Sequence, residues 1–347
     1  MHSRMRTIAA GVAIAAFAGG ALGQDRIAVK VAYFAPPQHL MSQWLTGWGQ
    51  KLEKDSGGRL AFSFFPGAQM GPAPSHYDLA RSGQADVTWF LHGGTPGRFP
   101  LTELLTLPYM VASAEMGTQT LNDPVLRSRF LDAEHRGIKP LLLFASTPVN
   151  LFTTKKAVRT PEDFKGLRIR FASAPTRAFI AALGGTPVGV SPTEQLEQLQ
   201  KGGLDGVFTD YGGAGTAFKM GGTVKYATEI YCCVVTFGIA MNEAFYDRLP
   251  PDLKRLVERS VTGVERDVGK VFDDLDAVGK NLIVGAGGEA IRPAREHAAR
   301  LRKVSDQVHE SILAELAAKN PAAREAYQLM KDLAQKHAAR SRSFWSD

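Results

Sequence analysis

Cysteine is almost absent: the 347 residues hold two, and they are neighbours, Cys232 and Cys233. Adjacent cysteines cannot staple distant segments, and a disulfide between them is strained. Two ordinary buried thiols are therefore expected, in a fold that does not rest on disulfides. Other absences are as informative. There is no G-x-S-x-G nucleophile elbow, no H-E-x-x-H and no G-x-x-x-x-G-K-S/T phosphate loop. The eight histidines are dispersed without ligand spacing, so no metal site is expected. Lys and Arg form no long run interleaved with aromatics, which disfavours nucleic acid as a partner. One stretch imitates a dinucleotide motif: Gly285-Ala286-Gly287-Gly288-Glu289-Ala290 fits G-x-G-x-x-A after Leu282-Ile283-Val284. It follows a long helical pattern and runs at once into Ile291-Arg292-Pro293, so a loop is predicted there and no cofactor.

What is present is ordinary globular composition, 44% hydrophobic and 22% charged, at a length that suits two domains. The first 23 residues read as a secretory leader. Arg4 and Arg6 make a short positive region, Ile8 to Leu22 is apolar and small, and Ala21-Leu22-Gly23 suits a signal peptidase, with cleavage before Gln24. That apolar run of about 15 residues is short for a bilayer span, and no other stretch approaches about 18. An exported, soluble, periplasmic protein is the expectation.

Strands and helices alternate. Arg26 to Phe34 is predicted as a strand, Gln38 to Ser56 as an amphipathic helix stopped by Gly57-Gly58, and Arg59 to Phe65 as a second strand. Strand, helix, strand implies parallel pairing. A helix over 75–82, Gly83 and a strand from Asp86 follow. The same order returns later: Ser191-Pro192-Thr193-Glu194 reads as a capping box with Pro at the first helical position, then a helix to Gly202 and a strand from Asp205. G-x-x-D thus closes a helix twice, which suggests two similar α/β lobes. Leu141 to Phe144 and Val234 to Met241 are strands near two crossings between lobes, at about 147 and 236. From Leu249 on the pattern is helical. The lobes are expected at 24–147 plus 236–275, and at 148–235 plus 276–347 with the C-terminal helices.

The stretch with chemical meaning is Asp163 to Phe171, D-F-K-G-L-R-I-R-F. Leu167, Ile169 and Phe171 face one way along the strand, and Arg168 and Arg170 the other. Guanidinium groups cannot be buried in an apolar layer alone. One or both must meet water, a carboxylate or an anionic ligand. Arg170 lies at the strand's end, before a loop and helix, where open α/β sheets collect ligands. It is the candidate to hold the carboxylate of a small organic acid, the alternative being a surface arginine paired with a nearby acid.

Several segments in this order and spacing, F-P-G-A-Q-M-G at 65–71, the G-x-x-D strand at 83–90, L-T-L-P-Y at 105–109, D-F-K-G-L-R-I-R at 163–170, L-D-G-V at 204–207 and M-N-E-A-F-Y-D-R-L-P at 241–250, give a family likeness. The chain resembles the extracytoplasmic solute receptors of tripartite ATP-independent periplasmic (TRAP) transporters, of the dicarboxylate-receptor type. The resemblance implies a two-lobed periplasmic binding fold with hinge crossings and a long connecting helix, closing over a carboxylate-bearing solute. It also implies delivery to a membrane permease driven by a sodium gradient, with no catalysis. The second arginine of the G-L-x-x-R strand, which makes a bidentate bridge to the ligand in such receptors, matches Arg170, and Arg168 falls to a surface role. A guanidinium fork suits a carboxylate better than lysine does.

Other positions follow from the same likeness. Asn150 lies where some relatives carry a second contact, and its replacing an arginine there argues against sialic acid. Thr209 and Asp210 stand where relatives show Glu and Asn; Asp210 could accept from a ligand or simply hold Arg170. Phe34, at the end of strand one, and Trp89, on strand three, could wall off a ring or belong to the core. Phe171, Tyr211 and Phe237 are further candidates. A monomer is expected. Two other uses fit the residues less directly: an exported receptor serving chemosensing, and a secreted enzyme using Asp210 as general base, for which no second acid/base group is visible.

Overall fold

The computed structural model describes residues 26–345; the leader and its cleavage point lie outside the described residues. Among the described residues, eleven strands form two sheets. The first contains β1 (Ile27–Tyr33), β2 (Leu60–Phe65), β3 (Val87–Leu91), β4 (Ile138–Ala145) and β10 (Thr236–Asn242), in the order β2-β1-β3-β10-β4. The second contains β5 (Asn150–Thr153), β6 (Arg168–Phe171), β7 (Thr186–Gly189), β8 (Gly206–Thr209), β9 (Tyr226–Thr228) and β11 (Glu289–Ile291), in the order β11-β9-β5-β8-β6-β7. Helices α1 (Leu40–Asp55), α2 (His76–Arg81), α3 (Ala114–Leu121), α4 (Pro124–Leu126), α5 (Ala174–Ala182), α6 (Gln195–Gln200), α7 (Glu243–Arg248), α8 (Pro251–Ser260), α9 (Glu265–Gly285), α10 (Arg295–Lys319) and α11 (Ala323–Ala338) connect them.

The two sheets repeat one plan. β1 sits between β2 and β3, all parallel, and β6 sits between β7 and β8, all parallel. Each trio is then extended by one antiparallel strand, β10 on β3 and β5 on β8. The repeated G-x-x-D has the same task in both halves. Gly83 and Gly202 end their helices at φ +74°, a left-handed conformation that costs other residues a Cβ clash. Three residues on, the Asp86 carboxylate accepts the Lys30 N–H at 2.8 Å, and Asp205 accepts the Arg168 N–H at 2.9 Å. Each aspartate fastens the strand after a helix to its parallel neighbour. The echo is a register pin.

The chain passes between sheets at 146–149 and again at 229–235. The two crossings hydrogen-bond to each other, Ser146 N–H to Val235 O at 2.8 Å and Cys232 N–H to Val149 O at 3.1 Å. Cys232 and Cys233 are buried free thiols on the second crossing. The Gly285 stretch ends α9, and its last residues enter the edge strand β11, where the sequence predicts a plain loop; no βαβ unit opens there.

Helix α9 is the third connection and is anchored to both lobes along its middle. In its middle, Asp273 caps α3, accepting the Ala114 and Glu115 N–H groups at 2.9 and 3.0 Å. Farther on, Gly279 lies against the backbone that follows β8: a Cβ there would sit 1.9 Å from the Tyr211 carbonyl oxygen. Gly279→Ala is therefore expected to destabilise the protein by about 1–3 kcal/mol or more, read as a lowered midpoint in chemical denaturation. An unchanged midpoint would mean that α9 slides aside freely.

Candidate functional site

Parallel strands end their carboxyl termini on one side, and in both sheets those ends face a shared cavity. β1 leads to Phe34; β3 carries Trp89 and Leu91; β6 carries Arg170; β8 ends in Thr209 and runs into Asp210. The first-sheet wall is aromatic. Phe34 and Trp89 lie 4.9 Å apart between ring centroids, Trp89 meets Phe237 at 5.8 Å, and Phe237 stacks on Phe272 of α9 at 6.0 Å. His39 closes this wall against Trp89 and Phe272. Its Nδ1 accepts the Met41 N–H at 3.0 Å, and burial lowers its pKa to about 4, so at neutral pH it is an uncharged ring.

The second-sheet wall is polar. Arg170 is 5% exposed. Its Nε–H donates to the Val190 carbonyl at 3.1 Å and Nη1 reaches the Phe208 carbonyl at 3.5 Å. Two carbonyls do not neutralise a guanidinium, and among the described residues no carboxylate forms an ion pair with it. Burial brings its pKa down to about 10, which still leaves it charged at neutral pH. Asp210 does not hold Arg170; one of its oxygens accepts the Gly213 N–H at 2.7 Å, and burial raises its pKa. Arg168 projects at the other end of the same strand face and is bridged by both oxygens of Asp205, each at 2.9 Å. The alternation that put both arginines on one polar side thus separates by depth: one reaches solvent and a partner, the other ends in the cavity.

Phe34, Trp89, Arg170, Thr209, Asp210 and Phe237 come together around the cavity. Asn150, Phe171 and Tyr211 do not line it. Asn150 pairs across the ladder with Thr209 and accepts the Tyr231 N–H at 2.8 Å. Tyr211 packs edge-on against Phe152 at 5.1 Å and donates to Glu229. Phe171 is half-buried at the end of β6.

Among the lining residues that sequence reading misses, His39, Phe272 and Gln195 bear most on the chemistry. Phe272 carries no local signal, being one apolar residue on a helical stripe. Gln195 is hidden by the expected capping box. The helix starts three residues later than the Pro at 192 implies: Glu194 sits at the N-cap without a side-chain cap, and Ser191 to Glu194 form a turn closed by a 3.0 Å bond from the Glu194 N–H to the Ser191 carbonyl. That shift places Gln195 at the first helical position, facing the cleft.

Two sheets of one plan, joined by crossings and facing each other across a cavity with a buried cation, define a two-lobed solute-binding protein. Residues 31–316 match the family described as bacterial extracellular solute-binding protein, family 7, and the chain belongs to it. Among curated relatives it is 25% identical to the uncharacterised protein YiiZ of Salmonella typhimurium over 215 residues; the match spans 61% of this chain and 65% of that one, just under two thirds of the relative's length. Among solved structures it is similar to a TRAP solute-binding protein from Rhodoferax ferrireducens in complex with copurified benzoate (TM-score 0.85, 26% identity, 90% of this chain and 99% of that one). A TRAP periplasmic solute-binding protein from Bordetella bronchiseptica with bound (R)- and (S)-mandelate is also similar (TM-score 0.81, 26% identity, 89% and 99%).

Proposed function

We propose that this protein is the extracytoplasmic receptor of a TRAP-type importer, that it binds a small aromatic monocarboxylate between its lobes, and that it hands this acid to the membrane permease without altering it. The observation that carries the reading is the facing of Arg170, buried and lacking an anionic partner, against an aromatic wall of Phe34, Trp89, Phe237 and Phe272. A buried charge demands a counter-ion, and a planar apolar body beside the carboxylate would complete the aromatic packing. Among the described residues lining the cavity, Arg170 is the one charged cation, His39 being neutral. It matches one carboxylate; a second would sit unpaired beside Asp210. The cavity is also small, ≈ 50 Å³, room for a few waters. Any organic acid therefore enters by parting the walls. The aromatic acids bound by the Rhodoferax and Bordetella proteins support the same class.

In this reading the leader through Gly23 is removed, the protein works as a monomer in the periplasm, and the lobes are 24–147 plus 236–275, and 148–235 plus 276–347. A boundary at 275/276 falls inside α9, which makes that helix a shared strut.

A thermal-shift screen tests the proposal. A ligand at 100 times its Kd adds about 2.7 kcal/mol of stability. Aromatic monocarboxylates are expected to raise the melting temperature, and C4-dicarboxylates and uronates to leave it in place. A largest shift from a dicarboxylate or a sugar acid would overturn the assignment.

A further inference from the structure

Gln195 is completely buried, and neither its amide oxygen nor its amide nitrogen has a hydrogen-bond partner in the protein. Exchanging the two atoms leaves the same pair unmet, so the observation does not depend on how the amide is turned. Across the cavity, the indole Nε1–H of Trp89 is likewise buried without an acceptor. Buried polar groups left dry are rare in folded proteins, because each forfeits its bond to water. Others occur singly elsewhere, such as Ser42 and His92, but here they meet on both walls of one cavity, on the residue that opens α6 and on a residue of β3, and Gln195 has both of its polar atoms unmet.

The carboxylate expected at Arg170 does not account for all of them. It supplies acceptors only, and the Gln195 oxygen requires a donor. Plain benzoate offers none. A hydroxyl can accept from the Gln195 amide or the Trp89 indole and donate to the Gln195 oxygen; a keto oxygen satisfies the donors alone.

We propose that Gln195, assisted by the Trp89 indole, is a specificity residue of the cleft, and that the preferred ligand is a hydroxyl-bearing aromatic monocarboxylate. This rests on the receptor reading above and deepens it. A site that leaves its own buried polar groups unpaired rejects the deoxy analogue more strongly than an apolar pocket rejects a methylene. The expected discrimination is about tenfold or more.

Calorimetric titration of the full exported chain with matched acids tests it: benzoate against 3-hydroxybenzoate, and phenylacetate against mandelate and benzoylformate. In the wild type at least one hydroxylated acid is expected to bind tenfold or more tighter than its deoxy partner, and benzoylformate to fall between phenylacetate and mandelate. Gln195→Met, close to glutamine in length, is expected to collapse that ratio toward one by weakening the hydroxylated acid. Equal affinities within each pair in the wild type would overturn the inference without any variant, as the pattern of amides met by water alone. So would a ratio that survives Gln195→Met. If the acids bind in an Arg170-dependent way but show no such ratio, Gln195 loses its role and the receptor reading stands. If none of them binds, both fall.

Discussion

Arg170→Ala is expected to weaken binding of the carboxylate ligand by about 2–5 kcal/mol, which is a thirty-fold to several-thousand-fold rise in Kd. The range is that for truncating one partner of a buried, hydrogen-bonded charge pair. Its upper end applies where, as here, no second charged cation lines the cavity among the described residues. Arg170→Lys should recover only part of the loss, because a point charge cannot make the two parallel bonds of a guanidinium fork. The same residue should act in the opposite sense on the empty protein. Arg170 is a buried charge held by two carbonyls and no anion, and such a charge disfavours the folded state until its counter-ion arrives. Arg170→Met, which fills much of the same volume without charge, is therefore expected to raise the ligand-free melting temperature by a few degrees while abolishing the ligand-induced shift. Calorimetry and thermal denaturation of the two variants, with and without ligand, read both effects. A variant that melts lower than wild type and still responds to ligand would show that Arg170 is structural.

Why Arg170 is legible in the sequence, and Gln195 is not, has a physical answer. A strand's side chains alternate, so two arginines two residues apart in an apolar stretch declare a polar face by their spacing alone. The strand's end then singles one out. The repeated order of strand, helix and G-x-x-D is legible for the same reason: it is local, and each element carries its own stop signal. The misplacements occur where periodicity changes. After β8 the chain turns into helical geometry just past Asp210, so Thr209, Asp210 and Tyr211 no longer alternate, and Tyr211 packs into the apolar core of the second lobe beside Phe152. Gln195 depends on where α6 begins, and Pro192 with Ser191 offers a competing start. The aromatic wall gathers Phe34, Trp89, Phe237 and Phe272 from separations of up to 238 residues in the chain. No spacing rule reaches that far; only the return of β10 and α9 to the first sheet assembles it.

Gly93→Ala is expected to lower affinity without unfolding either lobe. Gly93 follows β3 in the first sheet and Ala172 follows β6 in the second, and a Cβ on Gly93 would lie 1.9 Å from the Ala172 carbonyl oxygen, 2.9 Å from its carbon and 3.2 Å from the Ser173 Cα. Those atoms are backbone and cannot swing away, and a real Cβ keeps at least 3.0 Å from them. The surrounding seam also joins the two lobes: Thr106 Oγ1 bonds Ser173 Oγ at 2.9 Å, just before α5. Because the clash is between sheets and not within one, parting the lobes relieves it at less cost than distorting either. The penalty falls on the closed form alone, and a ligand that binds by closing the lobes must meet it. Overpacking costs about 1–3 kcal/mol, so Kd should rise about five- to 150-fold. Small-angle scattering should show that ligand no longer compacts the variant, while its ligand-free denaturation midpoint stays near wild type. Gly47→Ala is the matched control, since its added methyl meets nothing within 4 Å on α1; it should leave affinity and compaction in place and raise the midpoint slightly, by about 0.5–1 kcal/mol of helix propensity. Gly279→Ala supplies the contrast, clashing where α9 is packed and lowering the midpoint itself. If Gly93→Ala binds and compacts as the wild type does, the seam is not part of closure.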